Sequence, residues 1–254
     1  MQGSLQGSKR CTYILATLGK DLSAILKNIA EFKGKDDEVI VVDGACADHV
    51  KLQCEESGLV DVLVSEPDKS MAHAMNKGVL LAKGEVITQI TDDDTRYPEH
   101  SNLAIDKIID TPEVDVVITG GHKTFLAGGW TKRTGDINFP VGTNYGKQVN
   151  DVFSHGACGN GLHIRKRVFA RVGLFNTQFL VWDNEFVLQA IFRKCDVRFL
   201  RYKVYEHTVY DYSGIVKSNQ RVKGELAMLH NISGNQPFNI ATADQSGVWD
   251  GEWA

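Results

Sequence analysis

Three carboxylates in a row, Asp92, Asp93 and Asp94, follow an apolar run and Thr91, with Pro98 close behind. Adjacent carboxylates repel one another. At the mouth of a sheet they want a cation, and hard oxygen ligands suit Mg2+ or Mn2+, which bind one or two carboxylates together with substrate phosphates. A solvated acidic turn is the other reading of the triplet. Asp43, in Val42-Asp43-Gly44, ends a second apolar run. There a carboxylate can accept hydrogen bonds from a base or ribose, or cap the next helix. Glu66-Pro67-Asp68-Lys69 leads into Ala74-Met75-Asn76-Lys77-Gly78. A helix start near Asp68 to Ser70 offers N–H groups and a macrodipole to phosphate, with Lys69 and Lys77 adding positive charge. A capped amphipathic helix with surface lysines fits the same residues. Asp183, in Trp182-Asp183-Asn184-Glu185, stands at a helix start as a cap or a general base. His207 follows the last expected strand, where a lone histidine is commonly structural.

These residues need a scaffold that brings them together. Thr12 to Ala16 reads as a first strand, and Leu22, Ile25, Leu26 and Ile29 as one face of a helix capped by Asp21. Val39 to Val42 is an unbroken apolar run, as in strands covered on both faces. Val60 to Val64 makes a third strand. Met71, Ala74, Met75 and Ala82 mark a helix stopped by Gly84, and Glu85 to Ile90 a fourth strand. The order β-α-β-(α)-β-α-β implies crossover units and a mostly parallel sheet. Ligands of such sheets gather at the carboxyl ends of the strands, so Thr17, Asp43 and Asp92 to Asp94 should converge on one crevice.

Further along, 98–110 reads as a helix with Leu103, Ala104 and Ile108 inward, and 114–119 as a strand. Residues 120–160 are rich in Gly, Asn, Thr and aromatics and read as an irregular insertion that could cover a site. Helices are expected at 166–171 and 182–193, a strand at 197–202, and a last helix carrying Ile215, Val222, Leu226 and Leu229. The tail after Asn231, with Trp249 and Trp253, lacks a period and is expected to be mobile.

The 254 residues, 43% hydrophobic and 24% charged, can build a core. Lys+Arg 28 against Asp+Glu 32 gives a net charge of -4, which argues against a nucleic-acid partner held by bulk charge. No run of 18 apolar residues exists, so no membrane span is expected and any membrane contact would be peripheral. The Gly/Ser/Gln-rich residues 1–10 read as a flexible leader without a signal segment. Five scattered cysteines without a CxxC pair suit free thiols in a reducing cytoplasm. There is no GxGxxG, no GxxxxGK[ST], no GxSxG and no HExxH.

Taken in order, the pieces resemble the family 2 glycosyltransferases of the GT-A fold, from about Cys11 to Tyr210. The most specific stretch is Ser65-Glu66-Pro67-Asp68-Lys69-Ser70-Met71-Ala72-His73-Ala74-Met75-Asn76-Lys77-Gly78, running on through Ala82-Lys83-Gly84-Glu85-Val86-Ile87. Asp43-Gly44-Ala45-Cys46-Ala47-Asp48 is similar to the family's "DGgStD". Gly173-Leu174-Phe175-Asn176 with Asp183-Asn184-Glu185-Phe186 is similar to its "G.Fd…(E)D.el".

The resemblance implies a single GT-A, Rossmann-like α/β domain over 11–230, with a mostly parallel central sheet flanked by helices. Its nucleotide half is 11–97, its acceptor half 98–230, and 231–254 is a tail. It implies a metal-dependent, inverting transferase that moves a sugar from a nucleoside-diphosphate sugar, uridine-linked, to a hydroxyl of a glycan or other acceptor. Thr17, Asp43, Asp68, Lys69, Asn76 and Asp92 would bind the nucleotide sugar. Asp93, Asp94 and His207 would serve a Mn2+ or Mg2+ ion, and Asp183 would be the catalytic base. Thr91 stands where many members carry an acid, which leaves open which carboxylate holds the metal. Ser70 replaces the usual glycine, and Trp182 the first acid of the "ED" pair. A sugar-nucleotide nucleotidyltransferase and a non-catalytic sugar-nucleotide or glycan-binding domain are the alternatives. The first usually has a Gly-rich basic loop after its first strand, and Leu18-Gly19-Lys20 is thin for that.

Overall fold

The computed structural model describes residues 9–127, 130–137, 158–210, 218–233 and 252–253. Strand β1 (Lys9–Thr17) leads to α1 (Ser23–Phe32), β2 (Glu38–Asp43), α2 (Asp48–Ser57), β3 (Val62–Ser65), α3 (Met71–Leu81) and β4 (Gly84–Thr91). This is the alternation that the hydrophobic pattern predicts. β1 pairs in parallel with β2 and β4, and β2 with β3. All six residues of β2 are buried, because helices cover both faces of the sheet. Asp21 serves the start of α1 from one residue outside the cap, where its Oδ1 accepts from the Ser23 N–H and hydroxyl. Gly84 does not stop α3; Ala82 caps that helix and Gly84 opens β4. A Cβ on Gly84 would collide with the backbone nitrogen of Thr12, so β1 and β4 can pair this closely only around a glycine.

The second half adds β5 (Thr95–Arg96), α4 (Pro98–Ile109), β6 (Val116–Ala127), β7 (Trp130–Ile137), a 3-10 turn at Gly159–Gly161, β8 (Leu162–Arg165), α5 (Lys166–Val172), α6 (Trp182–Phe192), β9 (Val197–Tyr210) and α7 (Asn219–Ser233). Among the described residues the sheet has nine strands in the order β3-β2-β1-β4-β8-β6-β9-β5, with β7 beside β6. β8 lies antiparallel to both β4 and β6 and joins the first parallel block to a second, β6 with β9. Most paired positions lie in parallel ladders, as expected. One core lies between the sheet and α3, α5 and α6, and the other between the sheet and α1, α2 and α4.

Several expectations are corrected. Leu103 is exposed; α4 buries Ser101, Ala104, Ile105 and Ile108, a stripe that leaves position 103 on the opposite face. The region 120–160 is not irregular throughout: β6 continues to Ala127 and pairs with β7 as an antiparallel hairpin. The strand expected at 197–202 runs on to Tyr210 as β9. Lys9 and Arg10 belong to β1 rather than to a leader, and Arg10 donates to both oxygens of the buried Asp37 at 2.9 Å. In the tail, Arg201 N donates to Glu252 O, and Trp253 bridges to Leu200. The rest of the leader, most of the tail with Trp249, residues 138–157 and Ile215 lie outside the described residues. Val222, Leu226 and Leu229 on α7 pack against Val181 and Leu188, as their spacing predicts. The five cysteines are free thiols. Among the described residues no helix is long and apolar enough to cross a membrane.

Candidate functional site

The carboxyl ends of β1, β2 and β4 lie side by side, with Thr17 opposite Asp43 and Ala16 opposite Thr91. Beyond β1 the chain turns at Gly19, whose φ of +71° suits a residue without a Cβ. The turn carries Lys20 back over the end of β4. Lys20 Nζ lies 2.9 Å from Asp92 Oδ1 and 3.0 Å from Asp93 Oδ2. Thr17 Oγ1 donates to Asp92 Oδ2 at 2.7 Å. Burial pulls the Lys20 ammonium towards neutrality, but Asp92 and Asp93 outweigh it and hold its pKa above the ordinary value.

Asp43 reaches the crevice, but its carboxylate is spent on backbone. Oδ1 accepts from Gly19 N and Ala45 N, and Oδ2 from Ala47 N at 2.7 Å. The fully buried Asp43 therefore ties the loop after β1 to the loop after β2. Asp68 packs against that second loop: a Cβ on Gly44 would fall 2.8 Å from Asp68 Oδ2. Lys77 Nζ is 2.7 Å from Asp68 Oδ1, whereas Oδ2 is buried without a hydrogen-bond partner. Lys69 is exposed, and its backbone N–H donates to His73 Nδ1. Ser70 caps α3, its hydroxyl accepting from His73 N, which explains the departure from glycine there. Asn76 is not turned to the crevice. Its amide donates to Phe175 O and accepts from Phe175 N, both at 2.9 Å, and so clamps α3 to the Gly173–Asn176 segment.

The three carboxylates of the acidic run differ. Asp94 is 7% exposed and already crowded with donors: Thr91 Oγ1 at 2.6 Å, Thr208 N at 2.8 Å, the Asn160 amide, and His207 Nδ1 at 2.9 Å. Asp94 and His207 thus hold each other. Asp93 is the more accessible acid, with a side chain 27% exposed against 9% for Asp92. Burial raises its pKa despite Lys20. Among the described residues no group of three or more His, Cys, Asp or Glu is arranged to hold a metal ion. The fit to a divalent cation is nonetheless good, because Lys20 already places a positive charge between Asp92 and Asp93. A hard cation there would draw its remaining oxygens from the substrate.

Asp183 sits in the first turn of α6. Its Oδ1 accepts from Asn184 N and Asn184 Nδ2, and its Oδ2 from Gly159 N at 2.9 Å. Desolvation outweighs these bonds and raises its pKa. Asp183 and Asp94 meet the same turn: Gly159 reaches one and Asn160 the other. Beneath that turn lies Arg96, 2% exposed. The sequence reading missed Lys20, Asn160 and Arg96. Asn160 sits in a Gly-rich stretch that reads as loop, Arg96 in a strand of two residues, and Lys20 carries a signal only as part of a thin phosphate loop.

The model of the family described as "Glycosyl transferase family 2" matches residues 15–173. A glucosyl-dolichyl phosphate glucuronosyltransferase of Haloferax volcanii is 24% identical over 178 residues, 66% of this chain and 54% of that protein. The chain spans between half and two thirds of the length of the curated relatives it matches. Among solved structures, S. aureus TarS 1–349 in complex with UDP-GlcNAc aligns over 91% of this chain and 68% of its own, with a TM-score of 0.60 and 15% identity. The mannosyltransferase PcManGT from Pyrobaculum calidifontis, in complex with GDP-Man and Mn2+, aligns over 74% of this chain and 53% of its own, with a TM-score of 0.55 and 19% identity. The fold is thus that of GT-A glycosyltransferases, and with more than half of its length matched by the family model, the chain belongs to glycosyl transferase family 2.

Proposed function

We propose that this chain transfers a sugar from a nucleoside-diphosphate sugar, uridine-linked, to a hydroxyl of a glycan or similar acceptor, with inversion at the anomeric carbon. The observation that carries the reading is the shared turn at 158–161, which brings a desolvated carboxylate, Asp183, to the acidic end of β4. The uridine assignment is supported by the UDP-GlcNAc complex of TarS, and metal use by the Mn2+ complex of PcManGT. Five free thiols support a reducing, cytoplasmic setting.

In this reading the acceptor hydroxyl binds against Asp183. As its oxygen attacks the anomeric carbon, Asp183 takes the proton, and the bond to the diphosphate breaks on the opposite face with its electron pair leaving on the phosphate oxygen. A carboxylate whose pKa is raised by burial is a stronger base than a solvated one. Asp93 would hold Mn2+ or Mg2+ together with donor oxygens, which supplies neutralisation of the leaving diphosphate. Asp94, the next residue, is held by His207. Thr17, Asp92 and Asp68 face the nucleotide and its sugar, while Asp43 and Asn76 shape the pocket by holding its loops. Lys69 and the start of α3 add positive potential for the phosphates.

The test is a panel of nucleotide sugars incubated with purified protein, Mn2+ and a range of hydroxyl acceptors. Transfer should be seen with a UDP-sugar, and Asp183→Asn should lower it by about 100- to 10,000-fold. Full transfer by both Asp183→Asn and Asp93→Ala would reject the assignment.

A further inference from the structure

We infer that Asn160 and Arg96 are positioning residues, which fix one turn so that Asp183 and Asp94 keep a set relation to each other. The inference rests on the reading of Asp183 as the base. Asn160 is 3% exposed, and its amide nitrogen donates to Asp94 Oδ2 and, at 3.0 Å, to Thr91 Oγ1. One residue earlier, Gly159 N donates to Asp183 Oδ2 at 2.9 Å. A displacement of this turn therefore moves both carboxylates.

The turn is held from beneath as well. Arg96 Nη1 donates to the carbonyl oxygens of Asn160 and Gln89, both at 3.1 Å. Thr119 Oγ1 donates to Gly161 O at 3.1 Å, and Gly161 N closes the turn onto Cys158 O at 2.8 Å. The guanidinium of Arg96 lies 5.9 Å from the Tyr13 ring centroid and 6.0 Å from that of Phe32, so its charge is buried among rings. On the other side Gly159 fits against Gln89, where a Cβ would collide with Gln89 Oε1.

This arrangement is costly in ways that packing alone does not require. Arg96 is a charge buried deeply enough that desolvation lowers its pKa. Asn160 Oδ1 and Arg96 Nη2 are buried without hydrogen-bond partners. An apolar core at this place would avoid all three costs. What the polar groups gain is a set of directed bonds to one turn, and that turn ends on the two carboxylates. Pre-organisation of reacting groups is the usual return on such an investment.

Among the described residues, Cys158 and Tyr205 are the titratable groups that face Asp183 from other elements. Burial pushes the Cys158 thiol up to about 12 and the Tyr205 hydroxyl well above its ordinary value. Both remain neutral at working pH, so the Gly159 N–H is the contact that a moved turn would change.

The experiment compares wild type with Asn160→Ala by carbon NMR titration of Asp183 and by calorimetry of UDP binding with Mn2+. Loss of the aligned Gly159 donor should raise the Asp183 titration by about half a pH unit or more. A loosened Asp94 should weaken UDP–Mn2+ binding by about threefold or more. In turnover, kcat should fall by about tenfold or more while the acceptor KM stays nearly constant. Asn160→Ser keeps a shorter donor and should recover part of each effect; it also serves if the alanine variant does not fold. A lowered melting temperature with the Asp183 titration and the UDP affinity both unchanged makes Asn160 merely structural and overturns the proposal. Full transfer by Asp183→Asn, or no UDP binding by wild type, would instead count against the enzymatic reading, and the NMR titration still decides the role of the turn.

Discussion

Strands β1 to β4 come into register through apolar packing, with β2 buried along its whole length and helices on both faces. The strands beyond β4 come together differently. β8 is a four-residue strand with two polar side chains, His163 and Arg165, both buried. His163 lies between Thr88 Oγ1 at 2.8 Å and Thr119 Oγ1 at 3.2 Å, and burial drives its pKa far down, so it is neutral. Arg165 donates to the carbonyls of Val114 and Ile108 and pairs with Glu85. The first block is thus held mainly by contact area, and β8, which joins the second block to it, by directed polar bonds. Contact area tolerates exchange of one apolar side chain for another, whereas a directed bond is lost with its donor. The site lies where the two blocks meet.

The contrast can be broken by experiment. In the packed block, Gly84→Val forces a branched side chain onto the backbone of Thr12. It should cost about 3 kcal/mol or more, read as a lower urea midpoint, or prevent folding. A wild-type midpoint would end the idea that β1 and β4 depend on close approach. At the junction, Asn76→Ala leaves both polar groups of Phe175 unpaired and should cost about 2 kcal/mol in the same assay.

Asp183 gives a pH test with opposite signs for activity and stability. In the proposed mechanism transfer requires its ionised form, so the rate should fall as pH drops through its raised folded pKa. Because folding raises that pKa, the folded state binds the proton more tightly than the unfolded one. The stability linked to this group is fully present below the unfolded value, about 3.9, and is lost as pH rises through the folded one. A rate profile without an acid limb above the usual aspartate range would contradict the burial argument. The smallest effect belongs to Lys20, which is half exposed. Lys20→Ala should change apo stability by less than about 1 kcal/mol while enlarging the thermal shift produced by Mn2+. An equal Mn2+ shift in both proteins would show that the ammonium does not compete for that place.

The same division decides what could be read from the chain alone. β1, β2 and β4 stand out because parallel strands under two helical layers need unbroken apolar runs, and the acids at their ends are then located by topology. Asp43 and Asn76 stand out in the sequence as polar residues, but not in their orientation, since the hydrogen bonds with Ala47 N and Phe175 depend on loops that no periodicity encodes. β8 and β5 were invisible for a related reason: a polar residue counts as exposed in any pattern, and His163, Arg165 and Arg96 are buried only because their partners come from distant segments. The β6–β7 hairpin was hidden by its composition, in which glycines read as loop.

The Asn76 clamp also bears on how the chain folds. Its partner, Phe175, lies 99 residues downstream. During synthesis α3 emerges long before the segment that satisfies its buried amide, and at about 5–20 residues per second the wait is on the order of 5–20 s. The first parallel block must spend that interval with one polar group of α3 facing an unfinished core. Closing so long a loop carries a large entropic cost before any contact returns it, which slows folding. The rate-limiting step should therefore be the docking of 173–176 onto α3, a late event that joins the first parallel block to the second half of the chain.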